Sequence, residues 1–267
     1  MPSMPASDDA MLEVFERLAL EAGRAIMPIF EGECVVEHKA DASPVTAADQ
    51  AAEEIILAGL RGAYPDIPCV AEEEIAEGHL PPDLGQQFFL IDPLDGTKEF
   101  VNKHPDFTVN IALIRNGVPE VGVVYAPVSG KMFVGRPGRA EMIITGDNHN
   151  TGERRAIAVR DCAVPPTIVA SRSHRTPETD TYIAGFSVAE LVSVGSSLKF
   201  CLLAAGEADY YPRFGRTMEW DTAAGDAVLR AAGGLTNTLD GSPLRYGKRQ
   251  QAHDSDFANP HFVASGG

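Results

Sequence analysis

The sequence predicts an α+β protein in two halves, an N-terminal α+β half over residues 1–150 and a C-terminal α/β half over residues 151–267. Three observations carry that prediction. Two segments near the start repeat apolar residues at helical spacing. A run of apolar, strand-like segments follows, two of them joined by the turn pair Asn116-Gly117. Beyond residue 155, strand-like and helix-like segments alternate.

Residues 8–31 set Leu12, Phe15, Leu18, Ala19, Ala22, Ile26 and Phe30 on one helix face. Ser7 suits the N-cap, and Asp8 and Asp9 suit the positive helix end. Residues 35–47 are polar and turn-rich. A second helix near 48–62 aligns Ala52, Ile55, Ile56 and Leu60, and Tyr64-Pro65-Asp66 ends it. Residues 67–71 read as a short buried strand that delivers Glu72, Glu73 and Glu74. The apolar strand FFLI at 88–91 runs straight into DPLDGT at 92–97, and KEFVN then reads as helical. Residues 107–115 and 119–126 form the hairpin, with 131–134 and 141–144 extending its sheet. The polar, turn-rich stretch 145–155 marks the expected boundary between halves. In the second half, strands are expected near 156–159, 167–170 and 187–193, and helices near 177–184, 197–206 and 220–232. The tail from Ser242 onward is polar.

Composition narrows the function. The 267 residues carry 22 Lys plus Arg against 38 Asp plus Glu, a formal net charge of −16, with 44% hydrophobic residues. That describes a folded globular chain long enough to bury a core without disulfides. The acidity argues against a nucleic-acid polymer as partner, which requires a basic patch. A small phosphorylated ligand remains compatible, because an acidic pocket recruits divalent cations and cations recruit phosphate. Cys34, Cys69, Cys162 and Cys201 form no C-x-x-C, so they read as small hydrophobes rather than as a zinc or redox site. The start is polar and acidic and no apolar run approaches the roughly 20 residues of a membrane span, so a cytoplasmic location is expected, with peripheral membrane association left open.

Four features put acids at the ends of apolar elements, where a rigid scaffold holds functional side chains. In Ile91-Asp92-Pro93-Leu94-Asp95-Gly96-Thr97, a strand stops at one carboxylate and a proline turn places a second three residues on. Two such carboxylates can share a hard cation through oxygen, and the Leu94 carbonyl lies between them. The amides near Gly96 and Thr97 open a helical stretch and suit an anion. Glu72-Glu73-Glu74 repel one another unless cations compensate. Asp221 sits at the start of a helix marked by Trp220, Ala224, Ala227, Val228 and Ala231. Asp49 follows Pro44-Val45-Thr46 at the start of the second helix. Each of these is also compatible with a solvated turn or a helix cap when taken alone. No G-x-x-x-x-G-K-[ST] loop and no G-x-S-x-G elbow is present, which disfavours a P-loop enzyme and a Ser173–His174 nucleophile.

In order and at similar spacing, the acidic pair, D-P-L-D-G-T and W-D-T-A-A-G resemble the lithium-sensitive, magnesium-dependent phosphatase superfamily that includes inositol monophosphatase. DPLDGTKEFVN, FTVNIALI, GVVYAP, SRSH, GSSLKFCLLAAGEADYYPRFG and MEWDTAAGDAVL further resemble its CysQ-type 3′(2′),5′-bisphosphate nucleotidase branch, from Asp41 to Tyr246. The resemblance implies a layered αβαβα sugar-phosphatase-like fold and a site between the halves. It implies that Glu72, Asp92, Asp95, Asp221 and the Leu94 carbonyl hold two or three Mg²⁺ ions, with Asp49 near the weakest. Glu73 is the alternative to Glu72. Glu72 and Thr97 would orient the attacking water, Gly96 and Thr97 amides would hold the scissile phosphate, and Ser197 and Lys199 would lie on the substrate side. Arg172, His174, Arg175 and Arg213 are further candidates for a second phosphate. The implied reaction is removal of the 3′-phosphate of adenosine 3′,5′-bisphosphate, giving AMP and phosphate, in sulfur metabolism. An inositol or sugar monophosphatase with the same metal site is the alternative, and a homodimer is compatible with either.

Overall fold

The computed structural model describes residues 7–32, 36–38, 44–146 and 148–267. Cys34 and Asp41 lie outside these described residues. The helices are α1 (Asp8–Glu31), α2 (Ala47–Ala63), α3 (Glu72–Ala76), α4 (Thr97–Val101), α5 (Pro177–Ala184), α6 (Leu198–Ala204) and α7 (Trp220–Ala231). The strands of the first half are β1 (Val36–His38), β2 (Pro44–Thr46), β3 (Cys69–Ala71), β4 (Gln87–Asp95), β5 (Thr108–Arg115), β6 (Val118–Ala126), β7 (Lys131–Arg136), β8 (Arg139–Gly146) and β9 (Asn150–Ala156). Those of the second half are β10 (Thr167–Ser171), β11 (Glu190–Val194), β12 (Tyr210–Arg213), β13 (Leu235–Thr238) and β14 (Phe262–Ser265).

β3 to β9 form a seven-stranded sheet in chain order, parallel between β3 and β4 and antiparallel elsewhere. A five-stranded sheet has the order β11-β10-β12-β14-β13. Strand alternation divides the large sheet between two cores. Phe89, Ile91, Val109, Ile111, Leu113, Val121, Val123 and Tyr125 face α1 and α2. Phe88, Leu90, Ala112, Ile114 and Val124 face α6 and α7. Burial on both faces explains why β5 reads as a nearly continuous apolar run. Helices α6 and α7 also pack against the small sheet, and α5 covers its far side through Ile183 against Ile168 and Ala170. The layers are therefore α1/α2, large sheet, α6/α7, small sheet, α5: the αβαβα order the resemblance implies.

Local signals account for the first helices. Ser7 Oγ accepts from the Ala10 amide at 3.2 Å, capping α1. Thr46 and Asp49 form a capping box on α2. Several expectations need correction. The stretch 145–155 is not a turn-rich connection throughout, since β9 occupies most of it and pairs with β8 as the edge strand. All seven β9 residues are exposed, so no apolar pattern announces the strand. Of the strand expected near 156–159, only Ala156 is in a strand, as the last residue of β9; Val159 instead donates its amide to the Ala232 carbonyl at the end of α7. The polar tail supplies β14, a strand inside the small sheet. No helix among the described residues is long and apolar enough to cross a membrane.

Candidate active site

Two strands of the large sheet and one helix beneath it converge on a cavity of about 550 Å³. β3 ends at Ala71 and turns directly into α3, so Glu72 stands at the sheet's carboxyl end. β4, parallel to β3, ends at Asp92 to Asp95, where its register against β5 shifts. α7 brings Asp221 from the other side. Glu72, Asp92 and Asp221 each place one carboxylate oxygen within 4.8 Å of the others. Of the three adjacent glutamates, Glu72 joins this cluster, while Glu74 turns outward to Arg61 at 2.7 Å.

The electrostatics are those of acids held together against their own repulsion. Burial raises the Asp221 carboxyl well above the usual carboxylate range, and the charges of Asp95 and Glu72 push it further. Burial also raises Asp95, opposed by Lys199 and by hydrogen bonds from Ser197 and Asn110. An all-oxygen carboxylate set of this kind fits a hard divalent cation, whose charge would remove the penalty.

The DPLDGT turn is built for this geometry. The Leu94 amide donates to Asp92 Oδ1 at 3.0 Å, folding the turn back on its first acid. Gly96 has φ +97°, where a side chain would be strained and its Cβ would stand 3.2 Å from the Asp106 carbonyl oxygen. Thr97 opens α4, and its Oγ1 lies 3.2 Å from Asp49 Oδ1 and 3.3 Å from the Leu94 carbonyl oxygen. Asp49 Oδ2 accepts from Thr46 N and Oγ1 at 2.8 and 2.7 Å, so its buried carboxylate has a fixed orientation.

Basic residues line the cavity as well. Lys199 is buried, and burial lowers its ammonium to about 8 while Asp95 opposes the shift. Its Nζ donates to the Ser196 and Val194 carbonyls at 2.5 and 3.3 Å and sits 5.3 Å above the Tyr211 ring. Burial and the nearby Arg213 and Lys98 charges lower the His174 imidazole to about 4. His174 is thus neutral at pH 7 and accepts from Lys98 Nζ, with Nε2 at 3.0 Å. Arg213 lines the same cavity and donates to the Gly215 and Arg216 carbonyls at 3.2 and 2.8 Å.

Other expected residues fall elsewhere. Ser197 is 1% exposed and lies off the cavity lining, its Oγ donating to the Asp221 carbonyl at 2.6 Å. Arg172 pairs with Asp106 at 2.7 Å and Arg175 with Asp180, both off the cavity lining. Asn110 was not singled out by sequence, although it interrupts the apolar run of β5. Its Nδ2 donates to Asp95 Oδ2 at 3.3 Å and lies 3.0 Å from Ser197 Oγ. It ties the two halves of the site together, and a polar residue inside an otherwise apolar buried strand was the available signal.

The family model for the inositol monophosphatase family matches residues 7–263. A 3′(2′),5′-bisphosphate nucleotidase, CysQ, from Escherichia coli (strain K12) is 46% identical over 257 residues, spanning 96% of this chain and 99% of that protein. A crystal structure of CysQ from Bacteroides thetaiotaomicron superposes with a TM-score of 0.77 at 37% identity, covering 96% of this chain and 97% of that one. An inositol monophosphatase from Anabaena superposes with a TM-score of 0.75 at 27% identity, covering 97% and 91%.

Proposed function

The chain belongs to the inositol monophosphatase family, and from that premise we propose that it removes the 3′-phosphate of adenosine 3′,5′-bisphosphate to give AMP and phosphate. It is an enzyme of the 3′(2′),5′-bisphosphate nucleotidase kind, and enzymes of its family depend on metal ions. The observation that carries the substrate assignment is a cavity lined both by acids and by bases. The carboxylate cluster and Lys98, His174, Lys199 and Arg213 line the same cavity. A substrate with one phosphate to cleave and a second to hold matches that combination.

Glu72, Asp92, Asp95, Asp221 and the Leu94 carbonyl are the residues that would hold two or three Mg²⁺ ions. Bound there, Mg²⁺ supplies Lewis acidity and neutralises charge on the phosphoryl oxygens. The chain's own groups do the rest. Asp49 holds the Thr97 hydroxyl proton, which leaves Thr97 Oγ1 lone pairs free to accept from the attacking water. Glu72 orients the same water from the other side. The Gly96 and Thr97 amides hold the scissile phosphate in line with the water. Lys199 faces the substrate, and Ser197 acts as a positioning residue through Asp221 and Asp95.

Phosphate release from adenosine 3′,5′-bisphosphate and from inositol 1-phosphate, measured side by side, tests the reading. We expect the nucleotide to be preferred with Mg²⁺ and both activities to vanish in EDTA. Preference for inositol 1-phosphate would replace the substrate assignment with that of a sugar monophosphatase. Release of phosphate from neither would leave a metal- or nucleotide-binding protein without turnover.

The second-phosphate assignment has its own test. His174→Ala removes a group from the cavity lining without touching the acids. A hydrogen bond to a charged partner contributes about 1.5–3 kcal/mol. The KM for adenosine 3′,5′-bisphosphate should therefore rise roughly ten-fold or more, while hydrolysis of a monophosphate substrate stays unchanged. An equal effect on both substrates would remove His174 from the second-phosphate subsite.

A further inference from the structure

α3 begins without a cap of its own: its N-cap residue is Ala71, which offers no side-chain acceptor. An uncapped helix start leaves amide donors unsatisfied and the turn loosely held. Here the missing acceptor comes from a different helix. Glu53, buried on α2, takes the Glu73 amide on Oε2 at 2.9 Å and the Glu74 amide on Oε1 at 2.8 Å. One carboxylate thus grips the two consecutive amides that follow Glu72.

Glu53 stands four residues after Asp49 on the same helix, so the two acids lie one above the other on one face. Asp49 holds the Thr97 hydroxyl, and Glu53 holds the backbone beneath Glu72. α2 therefore ties together two segments that meet at the cavity from separate strands. The exposed Arg61–Glu74 ion pair joins α2 and α3 as well, but through side chains and away from the amides.

We infer that Glu53 is the positioning residue for Glu72, holding the β3–α3 turn so that Glu72 reaches Asp92 and Asp221. This rests on the reading of that acidic cluster as a cation site. Glu53→Gln offers one acceptor oxygen and turns an NH₂ toward the second amide, which breaks the two-pronged grip. Glu53→Asp keeps the charge but shortens the arm by one methylene.

The test is Mn²⁺ binding to the full chain without substrate, followed by calorimetry, with thermal unfolding in EDTA measured in parallel. Loss of an outer partner of a metal ligand typically weakens binding about 10–100-fold. We expect both Glu53 variants to bind Mn²⁺ at least roughly ten-fold more weakly while remaining folded. Arg61→Ala, which severs the other tie between the same helices, should bind Mn²⁺ like the unaltered protein. Unaltered Mn²⁺ affinity in a folded Glu53→Gln or Glu53→Asp variant would overturn the inference. So would an equal loss in Arg61→Ala, since the effect would then belong to general α2–α3 packing. If the unaltered protein itself fails to bind Mn²⁺, the cation reading falls and takes the inference with it. That outcome is distinct, because it appears before any variant is made.

Discussion

Asp95→Asn should abolish turnover while the fold stands. Asp95 faces Asn110 Nδ2 at 3.3 Å, lies close enough to Lys199 and Asp221 to shift both, and is half-buried at the cavity wall. Asparagine matches its volume and keeps one acceptor oxygen, but removes the charge that a cation requires. Replacing even an outer partner of a metal ligand typically costs about 10–100-fold, so removing a ligand's charge should cost more than 10²-fold in kcat/KM. Stability should move little. Burial raises the Asp95 carboxyl, so its ionised form burdens the metal-free fold at neutral pH, and neutralising it relieves that burden. The gain is offset because Lys199 loses an opposing charge. The measurement is kcat/KM with saturating Mg²⁺ beside thermal unfolding in EDTA. Near-normal turnover in the variant would take Asp95 out of the metal set.

Gly122→Ala should destabilise the fold and the site together. Gly122 on β6 and Gly135 on β7 are cross-strand partners, and together they form a flat floor under α7. A Cβ on Gly122 would stand 2.6 Å from the Ala224 carbonyl oxygen and 2.8 Å from Ala227 Cβ. One on Gly135 would stand 2.6 Å from Val228 Cα. These neighbours are backbone or Cβ atoms, which cannot rotate aside, so α7 itself must lift. Overpacking of this kind costs typically about 1–3 kcal/mol. For a chain of this size that lowers Tm by roughly 2–4 °C per kcal/mol. Because α7 carries Asp221 at its first turn, the shift should also raise the Mg²⁺ concentration needed for half-maximal activity. Gly62→Ala is the control: it lies in α2 with nothing within 4 Å of its Cβ, and alanine favours the helix. A Gly122→Ala protein as stable as the original, with an unaltered Mg²⁺ requirement, would mean that α7 can shift on the sheet without consequence.

The same close packing explains what a helix reading of α7 leaves out. Its apolar face is visible as Trp220, Ala224, Ala227 and Val228, but not why that face is so small. The reason lies in two glycines about ninety and a hundred residues earlier and in Phe200 of α6, which would stand 2.7 Å from a Cβ on Gly225. Small residues occur on both sides of the contact because the helix backbone rests on the sheet backbone.

Much of the chain was legible from local pattern. α1 and α2 show their apolar stripes, Ser7 caps α1, and the Asn116-Gly117 turn joins β5 and β6, with φ of +50° and +75° at the two turn residues. The acids of the site were legible too, each at the end of an apolar element: Glu72 after β3, Asp92 and Asp95 closing β4, Asp221 opening α7. Periods of two and of 3.6 residues, caps and turn dipeptides depend on neighbours in sequence, so sequence alone specifies them.

Only the tertiary structure decided which acids meet and what holds them. Glu72, Asp92 and Asp221 converge because β3 pairs parallel with β4 and α7 crosses beneath. Among the three glutamates, the turn into α3 sends Glu72 into the cavity, and the cap that steadies this turn comes from Glu53 on another helix. Ser197, expected on the substrate side, donates to the Asp221 carbonyl off the cavity lining, and Asn110, a polar residue within the apolar run of β5, bridges Asp95 to Ser197. β9 carries no apolar alternation and β14 lies in a polar tail, yet both are strands because β8 and β12 offer them free edges. Such pairings are fixed by long-range backbone hydrogen bonds and by the shape of distant surfaces. The exposed residues of β9 carry no mark of that pairing, and β14 alternates over only four residues, with Phe262 and Ala264 buried.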